Sequence, residues 1–157
     1  MLYYPDDTIQ HAGIVVGMGG VAGHAHLNYP RTAPGHCQRL LFTQNVAAVT
    51  GACLLMPREV FQKIDGFDEG FVLAFNDVDI CLKVLQAAYR VVWTPDALLY
   101  HLESKTRGYE DTPEKQARFK RECDLFYSKW GDFLKAGDPY YSPHFRLDRC
   151  DYALKAA

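Results

Sequence analysis

No apolar run approaches the roughly 20 residues that a membrane-spanning helix needs, so nothing in the chain reads as a transmembrane segment. No basic leader precedes the first polar segment, Asp6-Asp7-Thr8, and a secretory signal peptide is not expected. An excess of one charge is lacking too. The 17 Lys and Arg face 19 Asp and Glu, a formal net charge of -2. That balance argues against a general nucleic-acid binder. The cysteines (Cys37, Cys53, Cys81, Cys123 and Cys150) are odd in number and form no Cys-x-x-Cys or Cys/His zinc spacing. They read as reduced thiols of a cytoplasmic protein, with Cys53 and Cys81 packed in the core. Internal repeats, low-complexity segments and linkers are absent. What remains is 157 residues, 48% hydrophobic and 13% aromatic. That is the apolar mass of one globular domain, residues 1–157.

A phosphate loop is also missing. Gly17-Met18-Gly19-Gly20-Val21-Ala22-Gly23 departs from GxGxxG at Ala22, and no helix pattern follows to supply an anion-binding N-terminus. The stretch reads as a turn. Just beyond, His24 and His26 alternate as two residues on one strand face would. No third ligand lies near in sequence, and surface histidines are the expectation.

Periodicity places the elements. Residues 9–16 read as a strand bent near Gly13, residues 37–42 as a short helix, and residues 46–56 as a buried strand. Gly51 and Ala52 in that strand leave room for close packing of a helix or for a ligand over the backbone. Pro57 opens a short helix, residues 58–63, which Asp65-Gly66 ends. A helix over residues 77–88 follows, with Val78, Cys81, Leu82 and Leu85 facing inward. Strands are expected at 90–94 and 97–101. The last helix has Thr112 as cap and Pro113 at its first position, with Phe119, Cys123, Phe126, Tyr127 and Trp130 as its buried stripe.

The chemistry concentrates around the 77–88 helix. Glu69, Asp77 and Asp79 bring three carboxylates, and Asn76 an amide, to its start. Asp77 or Asn76 falls at or beside the N-cap, where negative charge is favoured by the helix dipole. A fixed carboxylate suits a general base that takes a proton from a hydroxyl. It equally suits a plain helix cap above a solvated acidic turn.

The order Thr50-Gly51-Ala52-Cys53-Leu54-Leu55, Gly66-Phe67-Asp68-Glu69, Asn76-Asp77-Val78-Asp79-Ile80-Cys81-Leu82, Tyr89-Arg90-Val91-Val92 and Tyr100-His101 resembles the acceptor-side half of bacterial family 2 glycosyltransferases. The resemblance runs from about Thr8 to about Leu154. It implies an α/β architecture: part of a GT-A fold, with a mixed sheet and flanking helices but without the N-terminal nucleotide-binding βαβ units. It implies an inverting enzyme that takes a nucleotide-sugar donor and a saccharide or lipid-linked acceptor, in cell-surface polysaccharide synthesis of the rhamnosyl or O-antigen type. Asp77 is then the base. Gly51, Ala52, Asn76, Asp79, Lys105 and Arg107 contact substrates, the last two as grips on a diphosphate. His101 is a ligand to a divalent metal, Mn2+ or Mg2+, whose other ligands come from an Asp-x-Asp motif in the donor half. Asp77-Val78-Asp79 spells such a motif but stands on the acceptor side.

The resemblance also implies a cytoplasmic enzyme, peripheral at the inner face of the membrane in its full form, and a chain that is the C-terminal half of a longer protein and inactive alone. Asn76 departs from the Glu usual before the catalytic Asp. The competing expectation is a non-catalytic module that self-associates through an unpaired sheet edge. A metal hydrolase built on His11, His24, His26 and Asp77 lacks any supporting ligand spacing.

Overall fold

The computed structural model describes residues 1–102 and 112–156. The strands are short: β1 (Leu2–Tyr3), β2 (Ile9–His11), β3 (Ile14–Val16), β4 (Ala22–His24), β5 (Gln44–Val46), β6 (Val91–Trp93) and β7 (Leu99–Tyr100). The helices are α1 (Arg58–Lys63), α2 (Asn76–Gln86) and α3 (Pro113–Ala136). The strands fall into three small sheets rather than the one mixed sheet expected. The first is mixed, in the order β2-β1-β7, with β1 antiparallel to β2 and parallel to β7. The other two are the antiparallel pairs β3-β4 and β5-β6, and Ile14 bridges to Ala48 between them.

Gly13 explains why the first expected strand becomes two. Its φ of 97° is left-handed backbone that L side chains seldom adopt. The chain breaks between β2 and β3, and Val46 packs against the space where a Cβ would stand. The expected strand over residues 46–56 is corrected more deeply. The strand ends at Val46, with the Ala48 bridge to Ile14 beyond it, and Gly51–Cys53 is a single 3-10 turn whose start is capped by Thr50 Oγ1, accepting the Ala52 N–H at 3.3 Å. Ala47 and Ala48 are buried, but Leu55 is 99% exposed and Cys53 is exposed, not in the core. Cys81 is buried as expected. The expected helix at 37–42 is a 3-10 segment, His36–Leu41, broken by left-handed backbone at Cys37 and Gln38.

α2 is the centre of the core. Val78, Ile80, Cys81, Leu82 and Val84 are all buried, so the helix is enclosed on most sides rather than along one stripe. α3 lies against it through Phe126 and Trp130, spaced four residues apart. Phe126 packs its ring against Phe71 and Phe75. The expected α3 stripe is narrower than the sequence suggests, since Phe119 and Tyr127 are exposed and the third buried position is Glu122. No helix among the described residues is long and apolar enough to cross a membrane.

A second, smaller core ties the C-terminal segment down. Val15, Met18, Ala25, Tyr141 and Tyr152 pack together, and Tyr152 stacks on both His26 and His36. His26 is therefore not the surface residue expected. It is 1% exposed, and its Nε2 accepts the His36 N–H at 3.0 Å. Burial, with repulsion from Arg39 and His36 and a smaller opposing pull from Asp151, lowers its pKa from 6.5 to about 4.

Between those values the unfolded chain takes a proton that the fold refuses. This group's stabilisation is therefore complete above pH 6.5 and is lost as pH falls through about 4. At about 1.4 kcal/mol per pH unit, the loss from pH 7 to 4.5 is roughly 2–3 kcal/mol. His26→Gln keeps an acceptor for the His36 N–H without titrating. Urea unfolding of this variant is expected to be flatter over that range than wild type; parallel profiles would refute the assignment.

Candidate functional site

The left-handed backbone of Phe75, φ 63°, turns the chain into α2, so Asn76 and Asp77 are the first two helical residues rather than its cap. The Asp77 carboxylate still serves the helix start, because its Oδ1 accepts the Val78 N–H at 2.9 Å. Its Oδ2 accepts the Gly51 N–H at 3.0 Å. Gly51 makes that contact by close approach: a Cβ there would stand 3.4 Å from the Asp77 Cβ. The loop leading into α2 is held from behind by buried Glu122, whose two oxygens accept the Leu73 and Ala74 N–H groups at 3.0 and 2.9 Å. Charge-assisted bonds of this kind are the stronger ones, so the approach to Asp77 is fixed on both sides.

In front of Asp77 lies a cavity of about 560 Å³. Its wall carries Gly51, Ala52, Asn76, Asp77 and His101, which brings five of the expected site residues together across 50 positions of sequence. His101 arrives from the end of β7, where its N–H donates to the Tyr3 carbonyl at 2.9 Å. Its Nδ1 is buried without a hydrogen-bond partner among the described residues. A buried imidazole nitrogen left in that state fits a ligand that is not protein, a metal ion included. Among the described residues no three His, Cys, Asp or Glu side chains converge to hold a metal. His101 therefore supplies one ligand at most.

Asp79 is not in the cavity. Two residues after Asp77 on a helix is a rotation of about 200°, which turns its side chain to the opposite face. There it is 0% exposed, with Oδ1 accepting the Trp130 Nε1–H at 2.8 Å and lying 2.7 Å from Lys129 Nζ. Lys83 Nζ stands 3.8 Å from the other oxygen. The substrate contact expected of Asp79 is thus corrected to a structural tie between α2 and α3. Lys129 also binds Asp68 at 2.7 Å. Burial opposes the Lys129 charge, but the bonds to Asp68 and Asp79 outweigh it and raise its pKa. Glu69, the third carboxylate, is exposed. Lys105 and Arg107 lie outside the described residues.

The cavity also holds residues that sequence reading missed, chiefly Thr50 and His24. His24 was visible as half of an alternating pair. The pair dissolves because His26 takes a φ of 54° and leaves the strand, while His24 closes β4 opposite Ile14. His24 meets buried His11 instead, Nδ1 to Nδ1 at 3.1 Å.

The profile of the glycosyltransferase-like family 2 matches residues 25–121, which includes Asp77, His101 and most of the cavity wall. An uncharacterized protein of Sinorhizobium fredii is 52% identical over 99% of this chain and 17% of its own length. The O-antigen biosynthesis protein RfbC of Myxococcus xanthus is 38% identical over 98% of this chain and 12% of its own length. The N-acetylglucosaminyl-diphospho-decaprenol L-rhamnosyltransferase of Mycobacterium tuberculosis is 28% identical over 74% of this chain and 38% of its own length. The chain thus spans well under half of each of these relatives. No solved structure matches it significantly. Asp77, its carboxylate fixed by two backbone N–H groups, and His101, whose Nδ1 has no hydrogen-bond partner among the described residues, line one cavity and both lie in the matched segment, and the chain belongs to the glycosyltransferase-like family 2.

Proposed function

We propose that this chain is the acceptor-side part of an inverting glycosyltransferase of partial GT-A fold, forming one domain over residues 1–157 and acting at the cytoplasmic side in cell-surface polysaccharide synthesis. The observation that carries this reading is the common cavity of Asp77 and His101. Each Asp77 oxygen accepts one backbone N–H and keeps a second lone pair. Those bonds hold the carboxylate in place, and a remaining lone pair takes the proton of the acceptor hydroxyl. The hydroxyl oxygen forms its bond to the anomeric carbon from the face opposite the departing group. The bond to the nucleoside diphosphate breaks with its electron pair, and the proton stays on Asp77.

A divalent metal, Mn2+ or Mg2+, would be held in part by His101 and would supply charge neutralisation for the diphosphate when bound. Its other ligands and the nucleotide site belong to a partner segment. Asn76 at the cavity wall, with Gly51 and Ala52 as its floor, would line the acceptor. The names of the rhamnosyltransferase and O-antigen relatives support a saccharide or lipid-linked acceptor.

Incubation of the isolated chain with UDP-, GDP- and dTDP-sugars and Mn2+ is expected to show neither transfer nor hydrolysis, whereas the longer protein carrying it transfers one of them. Activity of the isolated chain would overturn the partition of the site, and a longer protein inert to all donors would overturn the transferase reading. A second reading, a non-catalytic self-associating module, is favoured by β7, an edge strand whose Leu99 and Tyr100 are exposed beside an apolar cavity of about 680 Å³. Sedimentation of the same sample as a monomer at micromolar concentration removes it.

A further inference from the structure

A second recess adjoins the cavity in front of Asp77. It is a groove of about 480 Å³, and Gly51 and Phe67 line both. Leu54, Leu55, Met56 and Phe61 line the rest, and Arg58 is the one charged residue among the described residues that do so. These apolar side chains stand open to water: Leu55 is 99% exposed, Phe67 49% and Phe61 37%. The Phe61 and Phe67 rings meet edge to face, with centroids 5.8 Å apart. Gly66 makes room for them, since a Cβ there would stand 2.8 Å from the Phe61 ring. Single exposed apolar residues need no explanation, but a contiguous group of them marks a binding surface. Leu54, Leu55 and Met56 also line the apolar cavity of about 680 Å³ beside β7, so apolar surface runs on away from Asp77.

We propose that this groove seats the apolar chain of a lipid-phosphate-linked acceptor, which leaves the Asp77 cavity past Gly51 and Phe67 and runs over Leu54, Leu55 and Met56. The inference rests on the sugar-transfer reading of the cavity and narrows its acceptor to the lipid-linked class. A further sugar ring would need partners for its hydroxyls, which aliphatic and phenyl walls do not offer. A flat bilayer or protein face would touch only the rim of a concave groove, whereas one flexible chain fills it. Arg58 brings the positive charge that complements a linking phosphate, and its planar fork suits phosphate oxygens.

Methyl and octyl glycosides of one sugar differ only in the chain. Those of N-acetylglucosamine, rhamnose and mannose are titrated into this protein below the micellar concentration. For at least one sugar the octyl glycoside is expected to bind about tenfold or more tightly than its methyl partner, a modest share of what full burial of the added methylenes would give. It is expected to move the Leu55 and Met56 methyl resonances together with the Gly51 amide. Leu55→Asp changes a side chain that is open to water. It is expected to fold normally, to bind the methyl glycoside within about twofold of wild type and to lose most of the octyl gain. Arg58→Gln is expected to bind octyl phosphate about three- to tenfold more weakly and the octyl glycoside within about twofold of wild type; undiminished binding of octyl phosphate overturns the phosphate-linked assignment.

A methyl glycoside that moves Gly51 while its octyl partner binds no more tightly refutes the groove and spares the transfer reading. An octyl chain that moves Leu55 but leaves Gly51 unmoved overturns the groove's link to the acceptor. Binding to glycolipid-free phosphatidylcholine vesicles, or dimerisation, that Leu55→Asp abolishes gives the groove to a bilayer or to a second copy and overturns it likewise. If no glycoside moves any cavity residue, the transfer reading falls with it.

Discussion

Asp77→Asn, placed in a longer transferase that carries this segment, is expected to lower turnover by roughly 10²–10⁴-fold, the usual contribution of a general base, with donor affinity within about threefold. The amide is nearly the size of the carboxylate but not its equal in bonding. Both Asp77 oxygens accept backbone N–H groups, from Gly51 and Val78. Whichever way the amide is turned, its NH2 meets an N–H, and one bond is lost. That loss costs about 1 kcal/mol of stability and shifts the cavity floor slightly. A hundredfold fall in turnover corresponds to about 2.7 kcal/mol, more than the lost bond accounts for. A combined measurement of unfolding midpoint, donor affinity and turnover therefore separates the base from the brace. Turnover within a few-fold of wild type would place the base elsewhere.

How much of this was readable beforehand depends on the range of the interactions involved. The three helices follow from local signals: Pro57 ahead of α1, the apolar repeat of α2, and Thr112 with Pro113 at the start of α3, where Thr112 Oγ1 accepts the Lys115 N–H. The bend at Gly13 is also local. The segment after Val46 was misread because its apolar composition is that of a strand. Its path is set from outside, by Asp77 drawing in the Gly51 N–H and by Thr50 capping its own turn. Asp79 was misplaced although the rotation per helical residue was enough to separate it from Asp77; its place among the carboxylates at the helix start and the family resemblance point it to the site instead. His24 was seen and paired with the wrong histidine. Only the pairing of β3 with β4 and the burial of β2 bring it to His11, and neither is written in the local pattern.

Asp79→Ala is expected to destabilise the fold by about 3 kcal/mol, the lower end of the cost of removing one member of a buried ion pair. The lower end applies because the ammonium left behind is not stranded. Lys129 keeps Asp68 at 2.7 Å, and its side chain is 29% exposed to water. Trp130 does lose its acceptor inside the core, and Lys83 keeps the Gly66 carbonyl at 2.8 Å. Asp79→Asn can still accept from Trp130 and is expected to cost about half as much. A cycle combining Asp79→Ala with Trp130→Phe isolates the indole bond, and a coupling of about 1–2 kcal/mol is expected for neighbours that share one buried contact.

The same variants separate the two roles open to this carboxylate. Loss of an anchor between α2 and α3 lowers the unfolding midpoint and leaves acceptor affinity within about twofold below that midpoint. Loss of a sugar ligand does the reverse. Asp79 faces α3 while Asp77 faces the cavity, so α2 carries one carboxylate on the cavity wall and, half a turn away, another that ties the helix to α3. An unchanged midpoint with weakened acceptor binding would break that division.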